Sequence, residues 1–229
     1  MAETPPHGDT LFPNLARSLK QQRNTKIIAF GSSSTAGARL VVPYPAWLER
    51  LLGGEFGGNG SRMINVINRG IGGEEASTEL PRMKSDVIDE APALVIWQVG
   101  TNAVFRNTNP DFAFEKVVAA IAEGLDRLAK IPTDVVLMDL QYTTAVVKPE
   151  KKELADRMVA RISDLGENAG VYVFRRYALM QHWQETIAMR ELFDPADTDE
   201  LHLSDWATRC VTQTLFDQLR QAVKAQGVT

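Results

Sequence analysis

The segment "KIIAFGSSSTAG", residues 26–37, joins a short apolar run to three consecutive serines. Apolar residues fall on both parities of the run. That pattern marks a strand covered on both faces, as in a parallel sheet, rather than one with a wet side. Four further runs share this character, at 63–68, 94–99, 135–140 and 171–174. Between them, amphipathic stretches predict helices at about 45–53, 78–90, 111–130, 149–168, 177–190 and 205–226. Pro110 ahead of Asp111, and Pro149, suit helix entry and a first helical turn. Repeated strand–helix alternation predicts an α/β protein: a three-layer α/β/α sandwich around a five-stranded, mainly parallel sheet. Residues 1–14 read as a loose N-terminal arm and 15–229 as a single domain. The glycine-rich 53–62 reads as a flexible connection, because it precedes a strand instead of opening a helix.

Composition removes several classes of function. With 44% hydrophobic and 24% charged residues, the 229-residue chain can bury a normal core. The net charge is −4, and basic pairs such as Lys151-Lys152 and Arg175-Arg176 are scattered. No basic face for a phosphate backbone results, so nucleic acid is not an expected partner. Cys210 is the single cysteine, which rules out an intrachain disulfide and thiolate metal clusters. Its place in a helical pattern marks it as structural. No apolar stretch approaches the ~20 residues of a membrane span. The opening "MAETPPHGDT" carries no signal peptide as it stands, yet "AETPP" also suits a mature start after signal removal. Periplasmic or secreted and cytoplasmic locations therefore both stay open.

In a parallel sheet, ligands bind beyond the carboxyl ends of the strands. Small and polar residues gather there: Gly31-Ser32-Ser33-Ser34-Thr35, Arg69-Gly70-Ile71-Gly72-Gly73-Glu74, Gly100-Thr101-Asn102-Ala103 and Gln141-Tyr142-Thr143-Thr144. A serine nucleophile needs a base. Three histidines are available. His7 lies in the arm and His182 in a helical stretch. His202 lies in the polar segment "DTDELHLSD", three residues after Asp199. In a turn, that spacing lets the carboxylate reach Nδ1–H and leaves Nε2 facing a serine. The same segment also suits a helix cap, with Ser204 or Asp205 leading into 205–226. Gly73 N–H and the Asn102 amide are candidate donors to a developing oxyanion. These arguments leave open which of the three serines reacts.

Four blocks in order resemble those of the SGNH (GDSL-type) hydrolases, across about 25–225. They are Gly31-Ser32-Ser33-Ser34-Thr35, Asn68-Arg69-Gly70-Ile71-Gly72-Gly73, Gly100-Thr101-Asn102-Ala103 and Asp199-Glu200-Leu201-His202. The resemblance implies the flavodoxin-like fold of that family and a hydrolase of small esters. It assigns Ser33 as nucleophile, His202 as base and then acid, and Asp199 as the residue that orients His202. Ser33 N–H, Gly73 N–H and Asn102 Nδ2 would form the oxyanion hole, and no metal or organic cofactor is implied. Two aspartates of the family pattern are replaced, by Ser32 and Ala103. Ser34 falls where an apolar side chain is usual.

Other readings fare less well. The α/β-hydrolase elbow Gly-x-Ser-x-Gly is absent, since Thr35 stands at its last glycine. The stretch "NRGIGGEEA" fails as a dinucleotide fingerprint, because Glu75 takes a glycine position and Glu74 and Glu75 would repel a pyrophosphate. A catalytically inactive carbohydrate-binding module is the alternative outside enzymes. Among esterases the expected substrate is an acetyl ester of a carbohydrate. Tyr44, Trp47, Trp97 and Tyr142 near strand ends support that reading; a lysophospholipase, acyl thioesterase or arylesterase is the alternative on the same site.

Overall fold

The computed structural model describes residues 11–21, 24–37, 41–58 and 60–229. Its five strands are β1 (Asn24–Gly31), β2 (Met63–Gly70), β3 (Leu94–Gln98), β4 (Asp134–Met138) and β5 (Tyr172–Phe174). They pair in the order β2-β1-β3-β4-β5, and every pair is parallel. The helices are α1 (Pro13–Gln21), α2 (Ser33–Ala36), α3 (Tyr44–Phe56), α4 (Ala76–Glu79), α5 (Met83–Asp86) and α6 (Thr101–Phe105). After them come α7 (Phe114–Leu128), α8 (Thr144–Val147), α9 (Pro149–Asn168), α10 (Arg176–Trp183), α11 (Met189–Leu192) and α12 (Asp205–Lys224).

Strand parity divides the interior into two cores, as a sheet with period 2 must. Ile27, Ala29, Leu94, Ile96, Val136 and Met138 face α1, α3 and α12. Ile28, Phe30, Val95, Trp97, Val135 and Leu137 face α7 and α9. This is the expected three-layer sandwich. The chain leaves β1 toward one side of the sheet, forms β2, and returns to the other side for β3. The crevice at the carboxyl ends of β1 and β3 is thus the topological switch point.

Several expected boundaries change. Packing begins before residue 15: Phe12 is buried, α1 starts at Pro13, and the Asp134 carboxylate accepts from Asn14 Nδ2 and Leu15 N. Residues 1–10 of the expected arm, His7 among them, lie outside the described residues. The glycine tract starts inside α3, where Gly53 and Gly54 face open space. The helix expected at 78–90 is four short pieces. A tight turn at Leu80–Arg82 contains Pro81, which has no N–H to continue an α-helix, and Ala91 in the left-handed region ends the last piece. The stretch 177–190 divides into α10 and α11.

Candidate active site

Ser33 opens α2 immediately beyond the end of β1. The helix is drawn tightly onto β2. A Cβ on Gly70 would meet the backbone N of Ala36 at 2.2 Å, so only glycine permits the approach. Asn68 then ties the helix down: its Nδ2 donates to Thr35 O at 2.8 Å, and its Oδ1 accepts from Gly70 N at 2.9 Å.

The three serines have separate partners. Ser32 Oγ donates to Gln98 Oε1 at 2.9 Å, and Ser34 Oγ donates to Gln141 Oε1 at the same distance. Ser33 Oγ stands 3.0 Å from His202 Nε2. Ser32, buried at the family's aspartate position, is therefore held by an amide on the neighbouring strand β3.

His202 lies between α11 and α12, and its Nδ1 is 2.8 Å from Asp197 Oδ2. Asp199, expected at this position, is not bonded to the imidazole; its side chain is exposed. The loop explains the substitution. Asp197 is buried and gathers the backbone around itself, accepting from His202 N at 2.7 Å, Leu201 N at 3.1 Å and Asp199 N at 3.3 Å. Glu200 takes a left-handed φ of 54°, which turns the chain so that the carboxylate five residues back faces the ring. Burial alone would raise the Asp197 pKa, but the hydrogen bonds from His202 N, the imidazole and Leu201 N outweigh it and hold the carboxyl below its usual range. An ionised Asp197 accepts only, so Nδ1 carries the ring proton and Nε2 offers its lone pair to the Ser33 hydroxyl.

Gly73 lies in the loop after β2, and Asn102 in the first turn of α6 where the loop after β3 ends, at the same sheet edge. Gly73 has φ 84°, in a turn where Glu74 N donates to Ile71 O at 3.3 Å. Asn102 Nδ2 donates to Glu74 O at 2.7 Å, which joins the two loops and leaves its second N–H. Glu75, not anticipated as part of the site, clamps them from below. Its Oε1 accepts from Ala76 N at 2.9 Å and Gly100 N at 2.8 Å, and its Oε2 accepts from Ala103 N at 3.0 Å. Burial raises its pKa against those bonds. A carboxylate thus reaches the backbone at Ala103, where the sequence block has no aspartate of its own.

A cleft of about 440 Å³, its open mouth included, adjoins Ser33 and His202 on the side of α3, α10 and α12. Of the four aromatics noted in the sequence, Tyr44 lines it. Trp97 is buried and donates to Glu79 Oε2, Tyr142 stands edge-on to Tyr177, and Trp47 lies under Arg209. His182 pairs with Glu185 on a helix surface. Among the described residues no three His, Cys, Asp or Glu side chains are placed to hold a metal ion. No described helix is long and apolar enough to cross a membrane.

A parallel α/β/α sandwich with serine, histidine and aspartate in hydrogen-bonded line at its switch point defines the class of serine-hydrolase-like α/β proteins. Within it, the chain belongs to the non-GDSL lipase-like family, whose model matches residues 5–225. No curated protein matches the chain. Among solved structures it is similar to Axe2, an acetylxylan esterase from Geobacillus stearothermophilus. The TM-score is 0.68 at 18% identity, over 87% of this chain and 94% of that one. It is also similar to LAE5, an alpha/beta hydrolase enzyme from the metagenome of Lake Arreo, Spain. There the TM-score is 0.69 at 17% identity, over 87% and 95% of the two chains. At such identities the likeness is one of fold. Three Axe2 structures are of catalytic mutants with a serine, an aspartate or a histidine replaced, the aspartate standing three residues before the histidine. In this chain that spacing belongs to Asp199, while Asp197 holds the imidazole.

Proposed function

We propose that the protein is a serine esterase that cleaves small acyl esters through an acyl-enzyme on Ser33. The observation that carries this reading is the line Ser33 Oγ–His202 Nε2–Nδ1–Asp197, at 3.0 and 2.8 Å. His202 Nε2 takes the Ser33 proton as Oγ attacks the ester carbonyl, and the pair on Asp197 steadies the imidazolium. The proton then passes to the leaving alkoxide, which departs as alcohol. Water, deprotonated by the same nitrogen, attacks the acyl-enzyme; the bond to Ser33 Oγ breaks, His202 returns the proton to that oxygen, and the acid is released. Ser33 N–H at the open first turn of α2, Gly73 N–H and the second N–H of Asn102 Nδ2 are the donors for the oxyanion.

The preferred substrate is an acetyl ester of a carbohydrate. The shared fold with an acetylxylan esterase favours it, and so does the narrow cleft beside Ser33. A fluorophosphonate should label Ser33, and acetyl esters should turn over faster than octanoyl esters of the same leaving group. An unlabelled protein would make it a binding module; faster octanoyl turnover would replace the acetyl preference with a lipase- or thioesterase-like one.

A further inference from the structure

Arg176 is 2% exposed, yet it lines the cleft beside Ser33 and His202. Its Nε and Nη2 both donate to one acceptor, the carbonyl of Asp139, at 3.1 and 2.8 Å. Among the described residues, no acceptor for Nη1 is found and no carboxylate pairs with the guanidinium within 4.0 Å. The nearest acid is Asp139. Its Oδ1 accepts from Tyr177 N instead, and its Oδ2 has no partner among the described residues. Burial lifts the Asp139 carboxyl to about 7, so at neutral pH it supplies only part of a countercharge. Arg176 is held down to about 10 by burial and stays cationic there. A buried cation without a paired anion is costly, and such charges normally meet a carboxylate or a ligand.

A second polar group lies in the same wall. Tyr44 is 3% exposed and lines the cleft; its hydroxyl neighbours that of Thr35, and among the described residues it makes no well-formed hydrogen bond. Among the described residues no acidic side chain lines the cleft; Val41, Met138, Leu203 and Val211 supply apolar wall. Guanidinium and phenol together are a donor pair suited to a carboxylate, in the wall of the cleft that Ser33 also lines.

We infer that the cleft is an anion-binding subsite in which Arg176 and Tyr44 hold a carboxylate carried by the substrate close to its scissile ester. The inference rests on the esterase reading for its link to turnover. The carboxylate has two possible sources, the acyl part or the alcohol part, and the chemistry that recognises it is the same.

Two pairs of esters separate the sources. One sets 4-nitrophenyl hemisuccinate against 4-nitrophenyl pentanoate; the other sets 4-acetoxybenzoate against its methyl ester. In one pair the charged member should show the higher kcat/KM by about tenfold or more, the scale of one charge-assisted hydrogen bond. Arg176→Met should bring that ratio close to one, and Tyr44→Phe should lower it several-fold. If the buried position does not accept Met and the variant fails to fold, the Tyr44→Phe ratio and a binding measurement decide. Butyrate titrated calorimetrically into Ser33→Ala protein should bind, whereas butyramide should not, and Tyr44→Phe should weaken butyrate. Equal turnover within both pairs, with butyrate no better than butyramide, overturns the subsite while leaving the esterase intact. Failure of every ester, with Ser33 unlabelled, overturns the esterase, and the butyrate titration still decides the cleft.

Discussion

At the scale of single residues, hydrogen-bond partners separate three adjacent serines. Ser33 faces His202, while Ser32 and Ser34 are engaged by Gln98 and Gln141. Ser33→Ala should therefore lower kcat by several orders of magnitude with the fold retained, as triad removal does elsewhere. Ser32→Ala should act on stability, by about 1 kcal/mol for the lost hydrogen bond; equal losses of turnover would identify the wrong serine. Asp197 and Asp199 give a sharper pair. Asp197→Asn should reduce kcat on the order of 10⁴-fold, since the amide favours the wrong imidazole tautomer. Asp199→Asn, on an exposed side chain, should stay within about twofold. Steady-state kinetics of the two variants decides between them. The family spacing led to Asp199 because a local pattern counts residues. It does not register that Glu200 reverses the backbone and brings the carboxylate two positions earlier onto the ring.

At the scale of elements, the donors proposed for the oxyanion are placed by loops that Glu75 binds together. Its carboxylate accepts from the backbone at Ala76, Gly100 and Ala103, and Asn102 closes the link through Glu74 O. Glu75→Ala leaves three N–H donors unpaired. At ~1–3 kcal/mol per orphaned buried donor, it should cost at least about 3 kcal/mol in urea unfolding. Glu75→Gln keeps one acceptor oxygen and the side-chain shape. It should lower kcat on the order of 10²-fold with little change in KM, because a small displacement of the donors weakens the transition state more than the bound ester. A KM rise at unchanged kcat would assign Glu75 to substrate binding instead. In sequence this glutamate reads as a break in a glycine pattern; its role depends on β3 lying next to β1, which brings 100–103 to it.

At the scale of the molecule, buried acids link stability to pH. Asp139 is fully buried, and burial lifts it to about 7, above an unfolded value near 3.9. Between those values the folded state holds a proton that the unfolded state releases. Its contribution is thus fully present below about pH 4 and is lost as pH rises toward 7. Glu79, raised by burial and then by Glu75, acts with the same sign. Asp197, held low, acts oppositely: its contribution is lost only as pH falls through its depressed value. The melting temperature should accordingly decline from pH 5 to pH 8, and Asp139→Asn should flatten part of that slope. An unchanged slope in the variant would place the titration elsewhere.

The chain's alternation of apolar strands with amphipathic helices determined the sandwich, because burial on both faces is written into the central strands β1, β3 and β4. The positions of Ser33, Gly73, Asn102 and His202 at one edge follow from the same alternation, since each succeeds a strand or precedes the last helix. Tertiary structure decided what depends on residues far apart meeting. Asp197 rather than Asp199 bonds the imidazole, Glu75 clamps two loops, and Arg176 from the end of β5 enters a cleft beside the residue that follows β1. Local patterning encodes which face a residue turns to; it does not encode the backbone reversals and strand order that set its neighbours.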